Sequence, residues 1–346
     1  MKVLVAESPG VAKYVDLPKP EATEDSVVVK VKACGICATD LSILRGDAGF
    51  LKDGSTKYPV RFGHEWSGIV ESVGPNVKNF KPGDLVISDN GVSCGVCPSC
   101  ASGEFRKCKN NRAVGTIRTW PGAFSEYVSF PERHVHHLAE GVTIENGAMV
   151  EPASIAASGI MKLNTENFDT LLIIGTGAIG QCAVAFAKYA GISKVILAGR
   201  TDAKLDVGKK MGADVVINTQ RENLKDYVKE HCGGTVGNIL DCSGNIEVLN
   251  ACIDLLAREG TLALAGFFER KYTDFDIDAF IMKHGHMHGV MGGYQYTQVA
   301  LEGVNAGVDL SPAITKRIPF EDAGRVITEM ATALKNKEIK VLVEFD

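Results

Sequence analysis

The run Leu171-Leu-Ile-Ile174, followed at once by Gly175-Thr-Gly177-Ala-Ile-Gly180, restricts the fold more than any other part of the chain. A short unbroken apolar run fits a strand buried on both faces, and the apolar stretch 178–190 after the glycines reads as a helix. The alternation then continues. Strand-like segments at 195–198, 215–217, 239–241 and 261–265 are separated by helix-like segments at 203–211, 222–231 and 247–257. Strands separated by helices build βαβ units, so this region predicts a doubly wound parallel sheet.

Residues 1–150 have a different texture. Short β-like runs (VLVA, residues 27–31, GIVESVG, GDLVIS, SEYVS, HVHHL) are broken by Gly, Pro and Asn, as at Pro75-Asn76 and Lys81-Pro82-Gly83-Asp84. The C-terminal stretch returns to strands around two helical patterns and closes on a strand-like 340–345. There is no internal repeat. A length of 346 residues suits two domains at roughly 150 residues each. The expected α/β architecture is a β-rich domain from 1–153 and 289–346, with the doubly wound domain of 154–288 inserted between them.

Composition excludes several classes. Lys and Arg number 37 against 42 Asp and Glu, a net charge of −5, which disfavours a protein built to grip nucleic-acid phosphates. No apolar run approaches the roughly 18 residues of a membrane span. The opening MKVLVAESPG turns polar too early for a secretory leader. Ten cysteines without such a leader point to a reducing cytoplasm and to metal or catalytic use.

Four of those cysteines, Cys94, Cys97, Cys100 and Cys108, fall within one short stretch. Two-residue gaps let thiolates wrap one tetrahedral ion, and a four-thiolate shell is the closed form of structural zinc. Iron–sulfur ligation is the weaker rival, because the bacterial ferredoxin run has a different last gap followed by Pro. A zinc-ribbon role on nucleic acid is weaker still, since the local basic residues are few (Arg106, Lys107, Lys109, Arg112). A second set is spread along the chain: Cys37 after a strand, His64 before the next, and Glu151 where the β-rich region ends. Thiolate, imidazole and carboxylate form a three-ligand set that leaves zinc an open position. Taken alone, a Cys or His is more often a core residue than a ligand and Glu151 could be a helix-start carboxylate; a redox pair of Cys34 with Cys37 is the weaker reading, because no thioredoxin-like βαβ surrounds it.

The strings CGICATD, GHEWSG, the four-cysteine lobe, EPAS and GTGAIG, in this order over essentially the whole chain, resemble the zinc-dependent medium-chain dehydrogenases. With Glu151 where the simple alcohol enzymes carry Cys, the likeness is to the sorbitol, galactitol-phosphate and threonine branch. The resemblance implies a GroES-like catalytic domain beside a Rossmann domain, and a dimer or tetramer. It implies Cys37, His64 and Glu151 as catalytic zinc ligands, Glu65 as a carboxylate that ligates the metal or sits behind it, and Asp40 as the partner orienting His64. Thr39 is implied as the hydroxyl that passes the proton outward. The family's threonine enzymes carry His where this chain has Ser42, a departure that disfavours threonine and leaves the relay's exit open.

The glycine motif reads as a dinucleotide cradle. Gly175 serves the tight turn, Gly177 the approach to the pyrophosphate and Gly180 the packing of helix on strand, with Thr176, Ala178 and Ile179 between them. The acidic position that binds the ribose 2′-hydroxyl in NAD enzymes falls on Gly199, followed by Arg200, Thr201 and Lys204. A missing carboxylate and a nearby guanidinium favour NADP(H) over NAD(H); the alternative is that Arg200 stacks on adenine and both cofactors bind. Asp202 is expected to cap the following helix. Ser243, Gly266 and Phe267 end later strands and are expected beside the ribose and nicotinamide. Arg45, Asp47, Trp66, Arg118 and Trp120 could line a pocket or simply be loop residues, and the alternating His284, His286 and His288 read as structural or cofactor-flanking. The function expected is hydride transfer between NADP(H) and a secondary alcohol, a polyol or sugar. The alternatives are an NAD-dependent threonine-type dehydrogenase or a non-catalytic NADP-binding protein.

Overall fold

A computed structural model describes residues 1–268, 271, 274–333 and 337–346. They form two compact units. The first comprises Met1–Glu151, Gly293–Asn305 and Ile314–Asp346, and the second Pro152–Gly292 and Ala306–Ala313. The short segment Ala306–Ala313 thus joins the second unit, although the chain around it belongs to the first.

The first unit is β-rich because its strands are short, half-buried and separated by turns. Its largest sheet has seven strands. The strand Ser26–Ile36 lies at its centre, antiparallel to Glu65–Val73 on one side and to Lys340–Glu344 on the other, with Tyr127–Pro131 pairing to its first half. Pairing with Lys340–Glu344 carries the end of the chain back beside residues 33–36. Leu4, Val27, Val29, Phe62, Phe124 and Phe130 fill the core. Phe320, Ala323, Val326, Ile327 and Ala331, spaced by three and four residues along the helix Phe320–Thr332, bury one stripe of it.

The second unit contains a six-stranded, wholly parallel sheet. Its order is Val215–Asn218, Lys194–Gly199, Thr170–Ile174, Val236–Asp241, Leu256–Leu264 and His286–Gly289. This is the doubly wound order in which the chain reverses direction beside its first strand. Thr170–Ile174 is buried over four consecutive residues, as a strand covered on both faces must be. The reversal lies where Ile174 and Asp241 end adjacent strands, and open α/β folds bind ligands outside such carboxyl ends.

Candidate active site

Cys37 terminates the long central strand and caps the helix Ala38–Arg45. Asp40, one turn into that helix and fully buried, holds the segment from inside. Its carboxylate accepts the backbone N–H of Cys37 at 2.9 Å and that of Gly63 at 3.2 Å. Two segments distant in sequence are thereby drawn together, placing His64 and Glu65 opposite Cys37. One ligand atom from each of Cys37, His64 and Glu65 lies within 4.8 Å of the other two.

The electrostatics of this group are unusual for a buried place. Burial pulls the His64 imidazole down, but Asp40 and Cys37 outweigh it and hold its pKa well above the ordinary value. Asp40 comes only to 3.6 Å of His64 Nδ1, which has no hydrogen-bond partner among the described residues, and the Asp40 carboxylate bonds instead to the flanking backbone. Glu65 forms an ion pair with Lys340, the side chains being 2% and 3% exposed. Lys340 also donates to the Ile36 carbonyl at 3.2 Å. Burial lowers the lysine's pKa, and Glu65 and Cys37 more than reverse that. Sequence reasoning did not find Lys340: a lysine opening an apolar strand usually points to solvent, and only strand pairing turns this one inward.

Glu151 stands outside the 4.8 Å group. Its carboxylate accepts Asn90 Nδ2 at 2.7 Å. Burial raises its pKa, and His64 works against that rise, so the two residues sense each other electrostatically. Thr39 lies beside the cluster, its hydroxyl 3.7 Å from Cys37 Sγ. The Ser42 hydroxyl accepts from Arg45, which also pairs with Asp47 at 2.8 Å. The two tryptophans belong to the packing. Trp66 is buried and stacks on Phe130 at 5.2 Å, while Trp120 donates its indole N–H to the Ser129 carbonyl at 3.0 Å. Arg118 bonds the Lys109 carbonyl.

The four-cysteine lobe is a separate group. Cys97 and Cys100, and likewise Cys94 and Cys108, have their sulfurs 3.5 Å apart; Cys94 and Cys100 are at 3.9 Å. All four thiols are free. Zinc–sulfur bonds of about 2.3 Å set tetrahedral edges of about 3.8 Å. The observed spacings therefore suit a shared ion. Backbone N–H groups of Val96 and Cys97 lower the Cys94 thiol to about 6, so this ligand is poised as thiolate. A buried anchor, not evident from sequence, holds the entry to the lobe. His134 Nε2 accepts the Ser93 N–H at 3.1 Å, and its Nδ1–H donates to Asp89 at 2.9 Å. Asp89 also meets His136 at 3.0 Å.

In the second unit, Gly175 has a φ of +113°. A Cβ on Gly180 would lie 1.9 Å from the Gly175 carbonyl oxygen, so the helix packs on the strand only with glycine there. Gly177 precedes the helix Ala178–Tyr189, and no side chain caps that end. The first N–H groups of a helix have no intrahelical acceptor, and the space beside Gly177 is open, a Cβ there meeting nothing within 4 Å. Such an end fits a pyrophosphate. Gln181, missed in sequence, ties the loop down by donating to the carbonyls of Thr176 at 3.3 Å and Lys204 at 2.8 Å.

Asp202 does not cap its helix. Thr201 takes that position, without a side-chain cap bond, while Asp202 pairs with Arg221 and accepts Asn218 Nδ2 at 2.7 Å. The end of the next strand and the turn after it capture a carboxylate that sequence spacing assigns to capping. Arg200 is exposed. Ser243 donates its N–H to Asp241 at 2.7 Å, and Gly266 its N–H to the Asp241 carbonyl at 3.2 Å. Phe267 is 75% exposed. Of the alternating histidines, only His286 and His288 lie in a strand, whereas His284 has a positive φ and meets Arg258.

The alcohol dehydrogenase GroES-like domain matches residues 23–140, and the zinc-binding dehydrogenase domain matches 178–305. The chain belongs to the zinc-dependent medium-chain dehydrogenases. Among similar members of that family, a D-arabitol-phosphate dehydrogenase of Enterococcus avium is 32% identical over 99% of this chain and 97% of its own. An L-threonine 3-dehydrogenase of a Marinomonas species is 32% identical over 94% of each. A zinc-binding dehydrogenase of Sinorhizobium meliloti, solved with NADP, superposes with a TM-score of 0.88 at 28% identity, covering 99% of this chain and 98% of that one. An Escherichia coli alcohol dehydrogenase solved with NADH gives 0.85 at 27% identity, covering 100% and 99%. This medium-chain dehydrogenase is an enzyme of the zinc alcohol and polyol dehydrogenase family. No helix among its described residues is long and apolar enough to cross a membrane.

Proposed function

We propose that the chain is an NADP(H)-dependent dehydrogenase of a polyol, sugar or sugar phosphate, with Cys37, His64, Glu65 and Glu151 as the residues that hold a catalytic zinc. The observation that carries the reading is the convergence of three chemically different donors, Cys37, His64 and Glu65, within 4.8 Å in a chain that also has an uncapped dinucleotide cradle. Bound there, zinc would supply Lewis acidity toward the alcohol oxygen, and the nicotinamide would take the hydride. The chain's own residues do the rest. Asp40 fixes Cys37 and the loop before His64 through their backbone N–H groups. Lys340 holds the Glu65 carboxylate at the base of the group. Asn90 orients Glu151, and the Thr39 hydroxyl moves the alcohol proton away. Cys94, Cys97, Cys100 and Cys108 hold a second, structural zinc.

NADP(H) is supported by Gly199, which puts no carboxylate at the strand end where a 2′-phosphate would be repelled, and by Arg200 beside it. The threonine-dehydrogenase relatives favour a second reading, an NAD(H)-dependent amino-hydroxy-acid enzyme. Against it, position 42 carries a serine engaged by Arg45 at 2.9 Å. A cytoplasmic homo-oligomer is part of the first reading, and the free thiols suit a reducing compartment. The deciding experiment is reduction of NADP⁺ and of NAD⁺ across polyols, sugar phosphates, L-threonine and simple secondary alcohols. A preference for L-threonine with NAD⁺ would replace the first reading with the second.

A further inference from the structure

We infer that Thr176 and Gly199 choose the cofactor together: the Thr176 side chain fills the space into which any side chain at residue 199 would grow. The inference rests on the NADP(H) reading and deepens it by naming a residue of the glycine loop as a specificity determinant. Gly199 ends the strand Lys194–Gly199, where dinucleotide sites place the acidic residue that takes the ribose 2′-hydroxyl. A Cβ built on it would lie 2.4 Å from Thr176 Cγ2, 3.1 Å from its Oγ1 and 3.3 Å from its Cβ. The first distance is a clash, and the other two are tight.

Neither partner can easily retreat. The Gly199 carbonyl accepts the Thr219 N–H at 2.8 Å and the Thr219 hydroxyl at 3.1 Å. Gly175 N–H donates to the Ala198 carbonyl at 3.0 Å, which joins the glycine loop to the same strand end. Gln181 bonds the Thr176 carbonyl. Threonine branches at Cβ, so turning its χ1 relieves Cγ2 but leaves its Cβ close to the new side chain. The first carboxylate after Gly199 in the sequence, Asp202, is engaged by Arg221 and Asn218. The absence of an acid at 199 is therefore enforced from the neighbouring loop. Replacing Gly199 with Asp alone does not build an NAD site; Thr176 must shrink as well.

The experiment is a double-mutant cycle of Gly199→Asp and Thr176→Ala in the full-length protein. Dissociation constants for NAD⁺ and NADP⁺ are measured by calorimetry without substrate. Expected is a loss of NADP⁺ affinity of about tenfold or more in Gly199→Asp, with little gain for NAD⁺. In the double variant NAD⁺ binding improves well beyond the product of the single effects. Effects that multiply within about twofold, the limit for independent sites, overturn the inference. The wild-type ratio of the two constants separately tests the NADP(H) reading, and the cycle reports coupling whichever cofactor wins. Should Gly199→Asp not fold, Gly199→Ala is melted without cofactor. A melting temperature that falls and is restored by Thr176→Ala supports the inference, and one that does not fall overturns it.

Discussion

The chain builds two thiol-bearing groups by opposite routes. The Cys94–Cys108 lobe takes all its donors from one local stretch, with sulfurs 3.5–3.9 Å apart and nothing but thiols in the shell. The Cys37 group collects a thiol, an imidazole and a carboxylate from segments brought together by Asp40 and closes its base with a lysine from the far end of the chain. A shell of four like donors from one loop has no reason to stay open, whereas three unlike donors backed by charged partners leave one side to a reactant. The first group should serve stability and the second chemistry.

The harshest test of that division is Cys37→Ser. It should remove one zinc per chain and lower kcat/KM by more than the roughly 100-fold upper range for losing an outer-shell partner, with the melting curve little changed. Metal analysis, steady-state kinetics and calorimetry together read this out. Next comes Lys340→Met, which strands a buried Glu65 carboxylate and should cost about 3–5 kcal/mol in chemical denaturation. Adding Glu65→Gln should return most of it. If the double variant is as unstable as the single, Lys340 is packing rather than charge compensation.

The mirror image of Cys37→Ser is Cys100→Ala in the lobe. We expect loss of the other zinc and a melting temperature lower by roughly 10 °C, about 3 kcal/mol for a unit of this size. NADP⁺ affinity should persist. A Cys100 variant that kept its melting temperature and lost turnover as completely as Cys37→Ser would erase the distinction between the two groups.

The smallest effect sharpens the role of compensation. Asp241 is buried, and one of its carboxylate oxygens lacks a partner among the described residues, unlike Glu65 with its lysine. Burial raises its pKa above 3.8, despite opposing bonds from Ser243. The folded state therefore holds this proton more tightly than the unfolded chain. Its contribution to stability is full below the unfolded pKa and is lost as pH rises through the raised one. Asp241→Asn should accordingly gain stability relative to wild type as the pH rises from the acid range toward 8, because the wild-type carboxyl loses its contribution on ionising. A difference that does not change with pH would show the carboxyl to be unperturbed.

Legibility followed distance along the chain. Strands and helices of the second unit were readable because burial on two faces leaves continuous apolar runs, and 195–198 or 239–241 fall inside the strands Lys194–Gly199 and Val236–Asp241. The lobe was readable because its donors are neighbours. Asp202 was misplaced as a cap, since the spacing that makes a cap carries no trace of Arg221 and Asn218 waiting across a turn.

The donors at 37, 64, 65 and 151 came as a set from the resemblance to a family; from the residues alone came the alternation of strands and helices, the glycine cradle and the thiol lobe. These are recorded locally, because turn geometry, two-sided burial and short metal-ligand gaps act between near neighbours. Tertiary structure alone decided that Lys340 meets Glu65 across 275 positions, that Asn90 donates to Glu151, and that Thr176 closes the space over Gly199. Such contacts arise where strand ends and loops converge, and which buried charge faces which is settled only when those segments pack.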